Sequence, residues 1–263
     1  MEIIIENCSS PGAHFSRNTN EVLLKIYQWI LENNKPVLSF IDFRRRLEAE
    51  KKINDNNARN IYPMLKNGGL VEYEPGEDLS TNYFFTHRGL AYLKALETKN
   101  IIEKSDYTKR QKEEASVQVD EIISSIVCDS LELLLRNKEL NYAESLRWYL
   151  LFLSKFGKIN KQEFALMVHV MDEHPSEWEN EITPIIDQYR NNEIEINVKV
   201  QVRNDQKIQQ NTGQKTRLEE ISYFTAYTYY SGLVLQSGLI RKVKDYYFIV
   251  EDKKPKIDYL VEV

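Results

Sequence analysis

Thr216 to Val250 reads TRLEEISYFTAYTYYSGLVLQSGLIRKVKDYYFIV. Thr216 followed three residues later by Glu219 has the pattern of a capping box, in which each side chain satisfies a backbone N–H that the first helical turn leaves unpaired. The pattern predicts a helix that starts there. Leu218, Ile221, Thr225, Tyr229 and Gly232 recur at helical spacing, and Tyr223, Tyr227 and Tyr230 fall on the opposite side. Gly238 predicts the stop, because glycine takes the left-handed conformation that many helix ends need. Leu239 to Val243 and Tyr246 to Val250 then read as two short strands around Lys244-Asp245.

A helix, a glycine and a hairpin in that order make the closing half of a winged helix. The same grammar occurs earlier in the chain. Asn56 to Asn67 reads as a helix, Gly68-Gly69 ends it, Leu70 to Tyr73 and Tyr83 to Thr86 read as strands, and Glu74 to Asn82 is a turn-rich wing. The fold class expected is therefore mostly α with small β wings (α+β), as two winged-helix domains joined by a helical linker. The expected boundaries are 1–97 for an N-terminal arm and the first winged-helix domain and 98–140 for the linker. The second domain follows at 141–263, with an inserted polar loop at 192–214.

The rest of the chain fits around these two units. Met1 to Asn20 carries Ser9-Ser10-Pro11-Gly12 and reads as an arm. Glu21 to Asn33 places Val22, Leu23, Ile26, Ile30 and Leu31 on one stripe, and Ser39 to Lys52 turns Phe40, Phe43 and Leu47 inward. Helices are also expected over Arg88 to Glu97, Val117 to Leu135, the segment around Leu146 to Leu153 that ends at Gly157, Asn160 to His174, and Trp178 to Asn191. Glu193 to Val202 alternates as a strand does, and Arg203 to Gln214 is polar throughout.

At 263 residues, with 42% hydrophobic and 29% charged, the chain can bury two cores and has an ordinary soluble composition. Met1 to Ile5 is too short for a signal peptide, and no apolar run approaches the ~18 residues that span a bilayer, so no membrane partner is expected and the expected location is cytoplasmic. Cys8 and Cys128 stand far apart and read as plain thiols. The formal net charge of -5 is unlike that of most nucleic-acid-binding domains, but basic residues gather at Arg44-Arg45-Arg46, at Lys51-Lys52 and from Arg203 to Arg217. A local basic face is compatible with an acidic total.

The helix after Asn54-Asp55 carries the functional signal. At about 100° per residue, Ala58, Ile61, Tyr62 and Leu65 share one face and Asn56, Arg59, Asn60 and Pro63 point outward. Arginine and asparagine have paired donors and acceptors that match guanine and adenine edges in the major groove, whereas the bland reading is a solvated polar face.

The order of the parts resembles a known family. The run WYLLFLSKFGKINKQEFALMVHVMDE, then Ile186-Asp187-Gln188-Tyr189-Arg190-Asn191, a polar insertion, and a helix that starts near Arg217 and ends in Ser237-Gly238-Leu239 resemble the DNA-recognition region of the AlwI-like type IIS restriction and nicking endonucleases. Pro63-Met64, Gly69-Leu70-Val71, Phe85-Thr86-His87-Arg88-Gly89 and the arm with Cys8-Ser9-Ser10-Pro11 are similar too. The resemblance covers nearly the whole chain as pattern and order. It implies sequence-specific binding of double-stranded DNA. In the family a magnesium-dependent nuclease domain with a PD-(D/E)xK motif follows. This chain, ending at Val263, is expected to be the recognition part, with no cofactor of its own and with a nuclease domain or subunit as a partner.

The expected DNA contacts are Arg17 on the arm, Asn56, Arg59 and Asn60 on the first recognition helix, and Lys215, Arg217 and Tyr223 around the second. Lys66, Arg203 and Lys207 are expected on phosphates. Glu50-Lys51-Lys52 and Glu251-Asp252-Lys253 both spell E-x-K, but the first lies on an amphipathic helix and the second has only the hairpin's Asp245 upstream, so neither is expected to be catalytic. His14, His87, His169 and His174 are scattered, and no metal site is expected. Two other readings stay open. One is a plasmid or phage replication initiator or regulator with two winged helices. The other is a protein-interaction module that uses the tyrosines of the Thr216 segment.

Overall fold

The computed structural model of the chain describes residues 1–6, 8–34, 36–74, 76–174, 176–203, 216–220 and 225–263. It is mostly helical with small sheets, in line with the α+β class. The chain divides into two compact units. The N-terminal unit holds Pro11–Asn137 and Gly232–Gly238, and the C-terminal unit holds Met1–Ser10, Lys138–Ser231 and Leu239–Val263. The residues expected to form an arm are thus divided between the two units, and most of the expected linker falls in the N-terminal one.

In the N-terminal unit, α1 (Arg17–Glu32) is capped by Ser16, whose hydroxyl accepts from the Thr19 amide at 3.2 Å. It buries Val22, Leu23, Ile26, Trp29 and Ile30, whereas Leu31, expected on the same stripe, is exposed. A short strand, β2 (Val37–Ser39), leads into α2 (Phe40–Lys51), which ends on Lys52 in the left-handed conformation, and α3 (Asp55–Asn67) follows. Beyond α3, β3 (Asp78–Ser80) pairs antiparallel with β2, matching Leu38 to Leu79. The strands expected at 70–73 and 83–86 reduce to one bridge, Val71 to Phe85, supported by Glu72 N–H to Phe84 O at 2.8 Å and Thr86 N–H to Leu70 O at 3.1 Å. Thr81–Tyr83 is a 3-10 turn, so the second of these strands is cut short. Trp29, Phe43 and Phe84 pack edge to face at centroid distances of 5.5 and 5.1 Å and centre the core. Two long helices, α4 (His87–Lys104) and α5 (Lys109–Arg136), pack on one another and continue through the region expected to be a linker.

The C-terminal unit opens with β1 (Glu2–Glu6), where the sequence suggested an arm. Ile3 and Ile5 are buried and Ile4 is exposed, the alternation of a strand with one covered face. After α6 (Ala143–Phe156), β4 (Lys158–Ile159), α7 (Lys161–Glu173) and α8 (Trp178–Arg190), the strand β5 (Asn197–Arg203) runs parallel to β1 and pairs Ile3 with Val198 and Ile5 with Val200. The stretch Phe164 to Val168 of α7 is buried all round because α6, α8 and β1 all pack on this helix.

Thr216–Glu220 is not a helical turn. It is β6, antiparallel to β5, with Val202 opposite Arg217 and Val200 opposite Glu219. A capping box contributes about 1 kcal/mol. A full ladder against a strand already paired with β1 outweighs that local preference.

The helix itself, α9 (Thr225–Gln236), starts nine residues after Thr216 and buries Ala226, Tyr227, Tyr230, Leu233 and Val234. Tyr227 and Tyr230 thus face inward, and Thr225, on the other side as the spacing predicts, is exposed. Gly238 ends the segment at φ 72° as expected. The hairpin β7 (Ile240–Val243) and β8 (Tyr246–Ile249) follows, and the sheet order is β4-β8-β7. A last helix, α10 (Lys254–Glu262), packs on α6. Among the described residues no helix is long and apolar enough to cross a membrane.

Candidate functional site

The best-built polar region of the C-terminal unit starts at the first turn of α7. Asn160 Oδ1 accepts from the Glu163 amide at 2.8 Å, and Glu163 Oε2 accepts from the Asn160 amide at 3.2 Å. Glu163 is fully buried. Arg190, at the end of α8, donates to it through Nε at 2.7 Å and Nη2 at 3.2 Å, and reaches the carbonyls of Phe156 at 3.1 Å and Lys158 at 2.8 Å. A carboxylate in that position is tolerable because the guanidinium and the backbone N–H fill its acceptor sites. Asn160 Nδ2 also donates to the Tyr189 hydroxyl at 3.0 Å. The start of α7, the end of α8 and β4 are held by this one network.

Beside the network lies a cleft of about 600 Å³. Asn160, Lys161 and Gln162 form one side, Tyr227 and Thr228 of α9 another, and Lys242, Tyr246 and Tyr247 of the hairpin a third. Tyr247 lies opposite Lys242 across the hairpin, and the ammonium sits 5.6 Å from the ring centroid. Lys158 Nζ covers Tyr246 at 4.7 Å. Burial first, and then the Glu163 charge, push the Tyr246 hydroxyl up to about 12, so it stays a neutral hydrogen-bonding group near pH 7. The hairpin turn exposes Arg241, Lys242 and Lys244, with Asp245 as a neighbouring carboxylate. These hairpin cations and Lys161 were not singled out from the sequence, although the run Arg241-Lys242-Val243-Lys244 at a tight turn was a readable signal.

In the N-terminal unit, α3 is oriented as its periodicity predicts. Ile61, Tyr62 and Leu65 are buried, and Arg59, Asn60 and Pro63 are exposed. Asn56 lies in the first turn of this helix. The segment before α1 comes close to it, since a β-carbon built on Gly12 would lie 3.6 Å from Asn60 Cβ.

Two expected contacts are differently placed. Arg17 projects from the first turn of α1 with 92% of its side chain exposed, pairs with Glu21 at 3.0 Å, and borders a cleft shared with Lys99, Glu103 and Asp120. Lys66 is tied to Glu74 at 2.7 Å and lies 5.3 Å from the Tyr73 ring centroid. The segment beyond α3 carries Glu72, Glu74, Glu77 and Asp78, all exposed, so this face is acidic where the hairpin of the C-terminal unit is basic.

Arg203 and Arg217 occupy adjacent register positions where β5 and β6 meet residues 204–215. Lys207, Lys215 and Tyr223 lie outside the described residues. Arg217 therefore sits on a strand and not at a helix start.

The chain matches no protein-family profile, no curated protein and no solved structure. Among the described residues no three His, Cys, Asp or Glu side chains gather as a metal site. Glu50 accepts a 2.6 Å hydrogen bond from the buried Trp29 indole, and Glu251 and Asp252 are exposed in a 3-10 turn.

Proposed function

We propose that the chain binds double-stranded DNA in a sequence-specific manner through two winged-helix units, as the recognition region of a type IIS restriction endonuclease. Cleavage would belong to a separate magnesium-dependent domain or subunit. Several features support the winged-helix reading. α6, β4, α7, α9 and the β7–β8 hairpin occur in that order, with α8, β5 and β6 inserted between α7 and α9, and the sheet order is β4-β8-β7. α1, β2, α2, α3 and the β2–β3 pairing repeat the same progression in the other unit.

The observation that carries the proposal is the basic hairpin of the C-terminal unit beside the capped start of α7 and the exposed Thr225 and Thr228 of α9. In this reading Arg241, Lys242, Lys244 and Lys161 hold phosphates, the N-terminal end of α7 adds its partial positive charge, and α9 enters a groove. Arg59 and Asn60 read base edges from α3. Lys66 contributes less, because Glu74 already neutralises it.

The test is fluorescence anisotropy of a random-sequence duplex in rising salt. Native protein is expected to bind at low salt, with affinity falling linearly on logarithmic axes. The pair Lys242→Glu and Lys244→Glu should weaken every duplex alike and flatten that slope by about two, roughly one for each phosphate no longer neutralised. Failure to bind any duplex at low salt, or an unchanged slope in the double variant, would contradict the reading.

A further inference from the structure

Surfaces that read a duplex are convex, because a helix or ribbon must enter a groove. The cleft beside α7 is concave, and its volume of about 600 Å³ falls within the roughly 300–1,000 Å³ typical of small-ligand sites. Its walls combine three chemistries. Tyr247 and Tyr189 supply aromatic surface. Gln162 and Thr228 offer side-chain donors and acceptors that make no hydrogen bond to another described residue. Lys161 and Lys242 bring two positive charges to the lining, against the single carboxylate of Asp245. Rings suit the flat face of a nucleobase, amide and hydroxyl groups suit its edge, and ammonium groups suit the phosphate that follows it.

We propose that this cleft receives one unstacked nucleotide of bound DNA. The proposal rests on the duplex-binding reading above. The Glu163–Arg190 network keeps the cleft open before DNA arrives, since it fixes the start of α7 and the end of α8 independently of any ligand. Lys242, now 5.6 Å from the Tyr247 ring centroid, would swing from the ring to the phosphate as the base takes its place on the ring. Extrusion costs least where the base is already unpaired, so the preference is testable without knowing the recognised sequence.

The experiment compares two labelled duplexes of the same random sequence, one perfect and one with a single-nucleotide bulge, with the full chain. Native protein is expected to bind the bulged duplex roughly fivefold to tenfold more tightly, in keeping with stacking on an aromatic side chain. Tyr247→Leu keeps an apolar residue on the strand and should bring the ratio close to one, with the perfect duplex still bound. Gln162→Ala, at a half-buried position outside the core, should lower the ratio in part, and thermal melting of both variants reports whether the fold is kept. Equal affinity of native protein for the two duplexes would overturn the proposal, as would a preference that survives both substitutions in folded protein. Binding of neither duplex would remove the DNA reading and this one with it, whereas equal binding of both removes only the nucleotide cleft.

Discussion

Lys244 stands in the hairpin turn at φ 54°, a left-handed conformation that glycine or asparagine adopts more easily than lysine. A charged residue held in a strained conformation points to a use for the charge, and the neighbouring Arg241 and Lys242 point the same way. Lys244→Gly should therefore move two properties in opposite directions. Stability should rise by about 0.5–1 kcal/mol in urea denaturation, because relief of the strain exceeds the extra entropy of glycine in the unfolded chain. Duplex affinity should fall, as should the salt slope, by about one. Equal affinity of the two proteins would remove Lys244 from the interface.

At this scale the sequence was informative where periodicity governs. Arg59 and Asn60 point outward because Ile61, Tyr62 and Leu65 fill the inner face, as spacing alone predicts. It was uninformative where a partner lies far along the chain. Nothing near Lys66 announces that Glu74 will neutralise it, and nothing near Glu163 announces Arg190, 27 positions away.

Elements obey the same division. The helices α1, α2, α3, α6, α7 and α8 have clear stripes and capping or stop signals, and they fall close to where those signals place them. β1 and β6 are another matter, because each depends on β5. A short apolar run has no local reason to become the edge strand of a sheet centred on β5, and a Thr-Xaa-Xaa-Glu pattern has no local reason to be anything but a helix cap. In α9 the tyrosine side, Tyr227 and Tyr230, is the buried one, because those rings pack with Tyr149 and Phe164.

Close packing between elements offers a sharper test of the architecture than their limits do. Gly89 lies in the first turn of α4, and a β-carbon there would come within 2.0 Å of the Leu70 carbonyl oxygen. That atom belongs to a backbone fixed by Thr86, whose amide bonds the same carbonyl at 3.1 Å. Gly89→Ala should therefore cost about 1–3 kcal/mol, more than alanine normally gains in a helix. Thermal or urea denaturation checks it, and a neutral or stabilising result would mean that α4 does not approach the strand so closely.

Across the whole molecule the sixteen tyrosines are mainly a structural resource. Burial raises the ionisation of Tyr92, Tyr149, Tyr227 and Tyr230 well above the usual phenol value, and burial with the Glu163 charge takes Tyr246 up to about 12. For an acid whose folded pKa is raised, the stabilisation is complete below the ordinary value of 10.0 and is lost as pH climbs through the folded value. Stability should therefore decline between pH 10 and about 12. Tyrosinate absorbance should show a first group of exposed rings and then a cooperative rise that coincides with loss of helical circular dichroism. A single smooth titration near 10.0 with the fold intact would show that these rings are not buried as described.

The charge is unevenly spread: exposed acids cluster beyond α3 while the C-terminal hairpin exposes Arg241, Lys242 and Lys244, so a net -5 is consistent with the proposed binding of DNA. Hydrogen–deuterium exchange on the full chain with saturating duplex would test the central claim most directly. The account predicts slowed exchange at the start of α7, along α9 and through the β7–β8 hairpin, with little change in α4 and α5. Protection confined to the α4–α5 pair, or none in the hairpin while DNA is bound, would contradict it.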